Sequence, residues 1–242
     1  MNIALFIPCY IDQFYPHVGI ATLKLLEGFG LDVNYPLNQT CCGQPMANAG
    51  FEKYSKGTGE LFVKNFSQFD YIVSPSGSCV MHIKEHLDHV TDASAVSHKI
   101  FELCEFITDI VKPEKLDASF PHKVGLHASC HGLRGLRLAK ASELNQPDFN
   151  KPKSLLEKVK GIELIELTRK DECCGFGGTF AVSEEAISVR MGEDRIADHL
   201  DHGAEVITGA DMSCLMHLEG LLRRQKKNVK VMHIAEILVR ND

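Results

Sequence analysis

Short apolar runs alternate with longer segments of helical periodicity along the first half of the chain. The apolar runs lie at 3–7 (IALFI), 31–36 (LDVNYP) and 71–77 (YIVSPSG). The segments between them, 17–30 and 52–69, carry apolar residues at helical spacing. Strand-like runs that alternate with helical segments are typical of βαβ units and of a parallel sheet.

The second half repeats this order of signals. Its strand-like runs lie at 123–129 (KVGLHAS), 162–167 (IELIEL) and 205–211 (EVITGAD). Each half closes on a similar segment, KIFELCEFITDIV at 99–111 and KVMHIAEILVR at 230–240, and the spacing in the first of these predicts a helix.

The repeat predicts an α/β fold of two pseudo-symmetric, Rossmann-like lobes, each with a parallel sheet. We expect the first lobe to span residues 1–112 and the second lobe to span residues 113–242. Segment 140–160 has no counterpart in the first half and is predicted to be a surface insertion.

Composition narrows the class of protein. A chain of 242 residues that is 44% hydrophobic is long enough to bury a substantial core. A net charge of −6 argues against nucleic acid as a partner, since such surfaces need an excess of Lys and Arg. No apolar run approaches the roughly 18 residues of a membrane span, and the N-terminus lacks the features of a secretory signal. We therefore expect a cytoplasmic protein with reduced cysteines.

The cysteines follow the repeat. Eight of the nine occupy matching positions in the two halves, each just after a predicted strand, and two pairs belong to CCG triplets. Because the carboxyl ends of parallel strands meet at one edge of a sheet, we expect each lobe to gather four thiols there. The first set is Cys9, Cys41, Cys42 and Cys79, and the second set is Cys130, Cys173, Cys174 and Cys214. The ninth cysteine, Cys104, is interpreted as a core residue.

The residues around these cysteines suit a bound anion. Ser78 and Ser213 are predicted to cap the helices that carry Cys79 and Cys214, where the helix dipole favours a thiolate. Glycines would let backbone N–H groups approach thiolate or sulfide closely. These candidate cofactor-binding glycines are Gly43, Gly175, Gly177 and Gly178.

Four gathered thiols are compatible with several kinds of site. Structural zinc sites usually draw on paired C-x₂₋₄-C knuckles, which are absent, whereas adjacent cysteines suit a cluster of several irons. We therefore favour an iron–sulfur cluster over zinc. A redox site made of thiols alone and a doubled core motif with inert cysteines are the remaining alternatives.

The spacing of the CCG motifs resembles the tandem cysteine-rich CCG domain of heterodisulfide reductases and of glycolate oxidase iron–sulfur proteins. The segments QTCCGQPMANAG (39–50), ECCGFGGTFAV (172–182) and TGADMSCLMH (208–217) most resemble the lactate utilization protein A family. That resemblance implies iron–sulfur clusters, preferably [4Fe–4S] and one or two per chain. It also implies a complex with an iron–sulfur protein and a third subunit that oxidises L-lactate to pyruvate.

Two histidines depart from the wider family pattern. SCVMH at 78–82 and SCLMH at 213–217 end in His82 and His217 where many relatives close their motif with a cysteine. Each histidine could neighbour a cluster held by four cysteines, bind iron directly, or lie on the helix face without a role in the site. This departure argues against transferring the disulfide-cleaving chemistry of the five-cysteine reductase.

Other polar residues give weaker signals. His127 and His131 flank Cys130, but Phe6 and Tyr10 stand at the matching places in the first half, so we interpret both histidines as accessory or local. No G-x-G-x-x-G follows a strand, and neither NAD nor FAD is expected. Catalytic residues are not assigned, and whether lactate is oxidised on this chain or on a partner is left open.

Three functional hypotheses follow. The leading one is an iron–sulfur subunit that carries electrons from lactate oxidation. The second is a thiol–disulfide redox subunit like heterodisulfide reductase, and the third is a non-catalytic module that binds metal to assemble partners.

Overall fold

The computed structural model describes residues 1–241. The chain forms two compact units, Met1–Pro113 and Glu114–Asp242. Each unit is built around its own four-stranded parallel sheet with helices between successive strands. The α/β fold expected from the repeated pattern is confirmed.

The first sheet has the strand order β2-β1-β3-β4, and all neighbours are parallel. Ile3 on the central strand β1 lies opposite both Val33 and Tyr71. The four strands are β1 (Ile3–Leu5), β2 (Val33–Asn34), β3 (Tyr71–Ser74) and β4 (Ile100–Glu102).

The second sheet repeats this order as β6-β5-β7-β8, again all parallel. Its central strand β5 pairs Val124 with both Leu164 and Val206. The four strands are β5 (Lys123–His127), β6 (Glu163–Leu164), β7 (Val206–Gly209) and β8 (Lys230–His233). The two units therefore share one topology, as the sequence repeat predicts.

Eleven α-helices occur in the part of the chain that the structure describes, and short 3₁₀ and π turns extend several of them. The first unit contains α1 (Cys9–Phe14), α2 (Pro16–Gly28), α3 (Gln44–Asn48), α4 (Lys56–Phe66), α5 (Gly77–Glu85) and α6 (Leu103–Phe106). The second unit contains α7 (Lys151–Leu156), α8 (Phe180–Ser183), α9 (Glu185–Asp201), α10 (Met212–Arg224) and α11 (Ile234–Leu238). Over residues 1–241, none of these helices has both the length and the apolar character needed to cross a bilayer.

The helix expected at 99–111 is wrong at its start. Ile100–Glu102 forms β4, and helix α6 begins only at Leu103. The reason is that Ile100 pairs with Ile72 of β3 and is fully buried, so strand pairing prevails over the helical spacing. The Glu102 carboxylate then accepts hydrogen bonds from the N–H groups of Cys104 and Glu105, and this capping box starts the helix.

The segment 140–160 is not a surface insertion throughout. Its end forms helix α7, which packs against α11. Leu155 and Leu156 of this helix are at most 1% exposed, so the segment contributes to the core of the second unit. Asn150 caps the helix by accepting a hydrogen bond from the Lys153 N–H.

An aromatic cluster fixes the first central strand against helix α4. The Phe6 ring lies edge-on to Phe62 at 5.0 Å between centroids, and Phe62 stacks on Phe66 at 4.5 Å. All three side chains are at most 3% exposed, and burying a phenylalanine contributes about 1.5–3 kcal/mol. This packing sets the position of the chain just before Cys9.

Candidate metal centres

Three connections of each unit bring cysteines to the carboxyl edge of its sheet. In the first unit, Cys9 begins helix α1 after β1, and Cys79 lies in the first turn of α5 after β3. Cys41 and Cys42 lie in the loop between β2 and α3. Strand order therefore places β1, β2 and β3 side by side and brings their three loops together.

The four thiols of the first unit form a connected row. The sulfur of Cys42 lies 3.4 Å from that of Cys79. Cys41 is in hydrogen-bonding contact with both Cys42 and Cys9. Cys42 and Cys79 are at most 4% exposed, whereas Cys9 and Cys41 are half-buried.

The second unit repeats the row. Cys173 is in hydrogen-bonding contact with Cys130 and Cys174, and Cys174 is in contact with Cys214. Cys174 is 2% exposed, and the other three thiols are half-buried. All eight cysteines that the repeat singles out thus fall into two sets of four.

One glycine in each CCG loop adopts a backbone conformation that lets its N–H group reach a cysteine sulfur. Gly43 and Gly175 adopt φ angles of +94° and +85°, a region that side chains rarely adopt. Their backbone N–H groups donate to the sulfurs of Cys41 and Cys173, each at 3.3 Å. A Cβ atom at Gly175 would lie 2.6 Å from the Ser188 carbonyl oxygen, so the position also lacks space for a side chain.

These contacts favour a thiolate at one cysteine of each row. The pKa of Cys41 is lowered by hydrogen bonds from Cys42 and Cys9 and, further, by the Gly43 N–H. The pKa of Cys173 is lowered by hydrogen bonds from Cys130 and Cys174 and, further, by the Gly175 N–H. The thiolate is the form of cysteine that binds metal. Each row therefore contains one cysteine whose deprotonated form is favoured at neutral pH.

Gly177 and Gly178 have no counterparts in the first unit. They adopt φ angles of +53° and +63° in the loop that leads to α8. At the matching places, two and three residues after Gly43, Pro45 and Met46 already belong to α3. The predicted approach of Gly177 and Gly178 to a cofactor stays a prediction.

The predicted helix caps are wrong by two residues. The side chain of Ser76, not Ser78, accepts the Cys79 N–H at 3.4 Å and caps α5. Asp211, not Ser213, caps α10, and its carboxylate accepts hydrogen bonds from both the N–H and the hydroxyl of Ser213. The helices begin earlier because the chain leaves the sheet at Ser76 and Asp211 in extended conformation. Each cysteine still lies in the first helical turn.

His82 and His217 lie beside the CCG loops. His82 is 3% exposed, and burial followed by the charge of His86 lowers its pKa to about 4. The His217 ring faces the Ser188 carbonyl oxygen at 3.3 Å. Each imidazole interacts electrostatically with the first cysteine of its CCG triplet, Cys41 or Cys173. Direct ligation by either histidine stays a prediction.

The structure places His127 beside two cysteines of the second row. This residue ends β5, is 3% exposed, and places a ring nitrogen within 4.8 Å of the sulfurs of Cys174 and Cys214. The pKa of Cys214 is lowered to about 6, chiefly by a hydrogen bond from Cys174 and then by the neighbouring His127 ring. Its place three residues before Cys130 was the available signal, but Phe6 at the matching position obscured it.

Buried thiols, prepared thiolates and N–H donors are the chemistry that an iron–sulfur cluster or another thiolate-bound metal requires. The two sets of four define this chain as a protein with a duplicated cysteine-rich site. Consistent with this, the profile of the CCG cysteine-rich domain matches residues 3–84 and again residues 124–219.

Curated relatives cover nearly the whole chain. Lactate utilization protein A of Exiguobacterium sp. is 43% identical over 98% of this chain and 96% of its own length. Lactate utilization protein A of Bacillus subtilis is 40% identical over 98% of this chain and 99% of its own length. The chain belongs to the lactate utilization protein A family of tandem CCG-domain proteins.

A solved structure supports the fold alone. A hypothetical protein from Helicobacter pylori has a TM-score of 0.58 and 12% sequence identity. It covers 99% of this chain, and this chain spans about half of that protein's length (49%).

Proposed function

We propose that this protein is the iron–sulfur subunit of a multi-component system that oxidises L-lactate to pyruvate. The observation that carries the proposal is the presence of two rows of four thiols at matching loops of two like units. The role in lactate utilization is supported by relatives of that name that align along the whole chain.

The chemistry of lactate agrees with this assignment. Conversion of lactate to pyruvate releases two electrons and two protons, and the electrons need an acceptor. Iron–sulfur clusters supply one-electron transfer. We propose one or two [4Fe–4S] clusters per chain, with zinc as the less favoured metal.

The residues of the chain prepare the site for such a cluster. Hydrogen bonds from neighbouring thiols favour the thiolate form of Cys41 and Cys173. The N–H groups of Gly43 and Gly175 offset the negative charge of these sulfurs. Burial of Cys42 and Cys174 keeps water from the inner side of each row. Both effects favour a stable cluster of net negative charge.

The proposed partners are an iron–sulfur protein and a third subunit of the same lactate utilization system. The name of the relatives supports a place among several lactate utilization proteins. We assign lactate oxidation to the assembled system and place it in the cytoplasm, where cysteines stay reduced.

Anaerobic purification tests the proposal. We expect iron and acid-labile sulfide in the wild-type protein, and an electron paramagnetic resonance signal that develops with lactate when the partner subunits are present. Replacement of both Cys42 and Cys174 by serine should abolish iron binding. The control variant Cys104→Ala changes the fully buried ninth cysteine and should retain it. Absence of iron in the wild type would contradict the proposal.

A second candidate is a thiol–disulfide redox subunit. The sulfur pair of Cys42 and Cys79, 3.4 Å apart and next to the prepared thiolate of Cys41, favours this interpretation. A centre that responds to added disulfide, but not to lactate with partners present, would replace the first candidate by this one.

A further inference from the structure

We propose that His127 is a nitrogen ligand of the metal centre in the second unit, together with Cys174 and Cys214. The proposal rests on the proposed function for the presence of a centre. It goes further in making the two centres of the chain chemically different.

The geometry meets the needs of a metal ion. One ring nitrogen of His127 and the sulfurs of Cys174 and Cys214 all lie within 4.8 Å of one another. Metal–sulfur and metal–nitrogen bonds of about 2.3 and 2.0 Å place such donors roughly 3.5–3.8 Å apart in a tetrahedral site. Small side-chain rotations would bring the three donors onto a single ion, and larger ones would distribute them over neighbouring irons of one cluster.

The His127 ring is buried, and its polar partner is a cysteine sulfur. The side chain is 3% exposed, and among the described residues its nitrogens face the Cys214 thiol and make no conventional hydrogen bond to oxygen or nitrogen. Buried polar side-chain atoms nearly always have a partner, because an unsatisfied group loses its hydration without compensation. A metal ion bound to the same sulfur would be a stronger partner for one ring nitrogen than the thiol is.

The first unit lacks this donor. Phe6 stands three residues before Cys9, as His127 stands three residues before Cys130, and its ring packs on Phe62. A phenyl ring offers no lone pair to a metal. At this position the first unit therefore offers no nitrogen donor, whereas the second unit offers an imidazole.

Two other imidazoles of the second unit contact backbone atoms. The Nε2 atom of His217 faces the Ser188 carbonyl oxygen at 3.3 Å. The fully buried His199 lies against the backbone of β5, where a Cβ atom at Gly125 would collide with its Nδ1. Of these three imidazoles, His127 is the one whose ring nitrogen lies within 4.8 Å of two cysteine sulfurs.

If the His127 imidazole takes a position that a cysteine thiolate takes in the first centre, the second centre carries one negative charge fewer. A less negative centre accepts an electron more readily, as the histidine-ligated clusters of Rieske proteins show. The second centre should then have a more positive reduction potential than the first. The second centre would then be the better electron acceptor of the two.

Pulsed electron paramagnetic resonance tests the ligand directly. The variant Cys41→Ser/Cys42→Ser removes the first centre, so the signal comes from the second. We expect a strong ¹⁴N coupling in this background that changes to ¹⁵N when the protein is grown with [¹⁵N]histidine. His127→Phe, which copies the first unit, should lose the coupling and lower the midpoint potential.

Two further variants complete the design. His127→Cys supplies a different donor and should retain the cluster without the nitrogen coupling, which separates ligand loss from misfolding. His131→Tyr, which copies Tyr10 of the first unit, is the matched control and should leave the coupling unchanged. A coupling that persists in both His127 variants, or that is absent before substitution, would overturn the inference.

Cobalt(II) separates this inference from the proposed function. If the wild type binds no iron, the proposed function fails, and the same variants are loaded with Co²⁺ alone. A mixed sulfur and nitrogen coordination by X-ray absorption, with the nitrogen contribution reduced by His127→Phe, would still support the ligand. The same coordination in both proteins would reject it.

Discussion

Arg195 and Asp198 form a buried ion pair one turn apart on helix α9, with Nη2 and Oδ2 2.9 Å apart and both side chains at most 2% exposed. The Asp198 carboxylate also accepts the N–H groups of Thr168 and Arg169, each at 3.1 Å. Arg195 donates to the Arg169 carbonyl oxygen. The pair thus ties helix α9 to the segment that leads into the second CCG loop.

Replacement of Arg195 by leucine should destabilise the second unit strongly. It leaves the Asp198 carboxylate buried without its cation, and breaking such a pair costs about 3–5 kcal/mol. Urea unfolding measures the change. The control is Arg190→Leu on the same helix, which breaks an ion pair with Asp194 whose arginine is 73% exposed and should cost less than about 1 kcal/mol. Equal effects of the two variants would contradict this account.

The glycines of the CCG loops should be required for metal loading. Gly175→Ala combines a left-handed backbone with a contact of 2.6 Å to the Ser188 carbonyl oxygen and displaces the N–H donor of Cys173. We expect this variant to lose the iron of the second centre, about half of the total if both centres are filled.

Gly50 provides the control for backbone strain alone. It has a φ angle of +81° with no atom within 4 Å of an added Cβ, and it donates to no thiol in the described contacts. Gly50→Ala should cost about 1 kcal/mol of stability and retain all the iron. Full iron content in Gly175→Ala would show that the glycine is not needed for loading.

Stability of the metal-free protein should depend on pH through His199. Burial, followed by the charges of Arg195, His127 and His202, lowers the pKa of this side chain to about 2. Since an unfolded histidine has a pKa near 6.5, the unfolded state binds more protons in this range, and stability falls as the pH falls below 6.5. Between pH 7.5 and pH 5 this histidine should lower the free energy of unfolding by about 2 kcal/mol.

Denaturant unfolding of His199→Leu measures that contribution. Neither ring nitrogen of His199 has a hydrogen-bond partner among the described residues, so leucine removes no hydrogen bond. Over this pH range the free energy of unfolding of the variant should fall by about 2 kcal/mol less than that of the wild type. The exposed His17, replaced by leucine, is the control and should leave the dependence unchanged. If the free energy of unfolding of His199→Leu depends on pH as it does in the wild type, this assignment is refuted.

Gly125 should be intolerant of any side chain because His199 fills the space beside it. A Cβ atom there would overlap with Nδ1 of the buried ring. Gly125→Ala should therefore destabilise the protein by about 1–3 kcal/mol. Gly220, inside helix α10 with open space around it, is the contrasting case, and Gly220→Ala should stabilise by about 0.5–1 kcal/mol. Thermal unfolding distinguishes the two signs.

The sequence predicted the gathering of the cysteines better than the boundaries of the elements. Parallel topology forces the loops after β1, β2 and β3 to one edge, so the position of a cysteine after a strand was enough to predict each set of four. The start of the segment at 99–111 was missed because an apolar run next to helical spacing is compatible with either structure until the pairing of Ile100 with Ile72 is known.

The caps and the burial of His127 against the sulfurs were not predicted, for related reasons. Several serine and aspartate residues precede Cys79 and Cys214, and only the backbone conformation at Ser76 and Asp211 shows which of them caps. Burial of His127 against the sulfurs depends on the pairing of β5 with both neighbours, which one sequence does not encode locally. Comparison with Phe6 of the first unit pointed away from it.

The central claim is that the two sets of four cysteines hold iron–sulfur clusters. Anaerobic iron and sulfide analysis of the wild type, of Cys42→Ser, of Cys174→Ser and of the double variant tests it most directly. We predict that each single variant loses one centre, that the double variant loses all iron, and that Cys104→Ala loses none. Iron-free wild-type protein, or iron that survives in the double variant, would contradict the account.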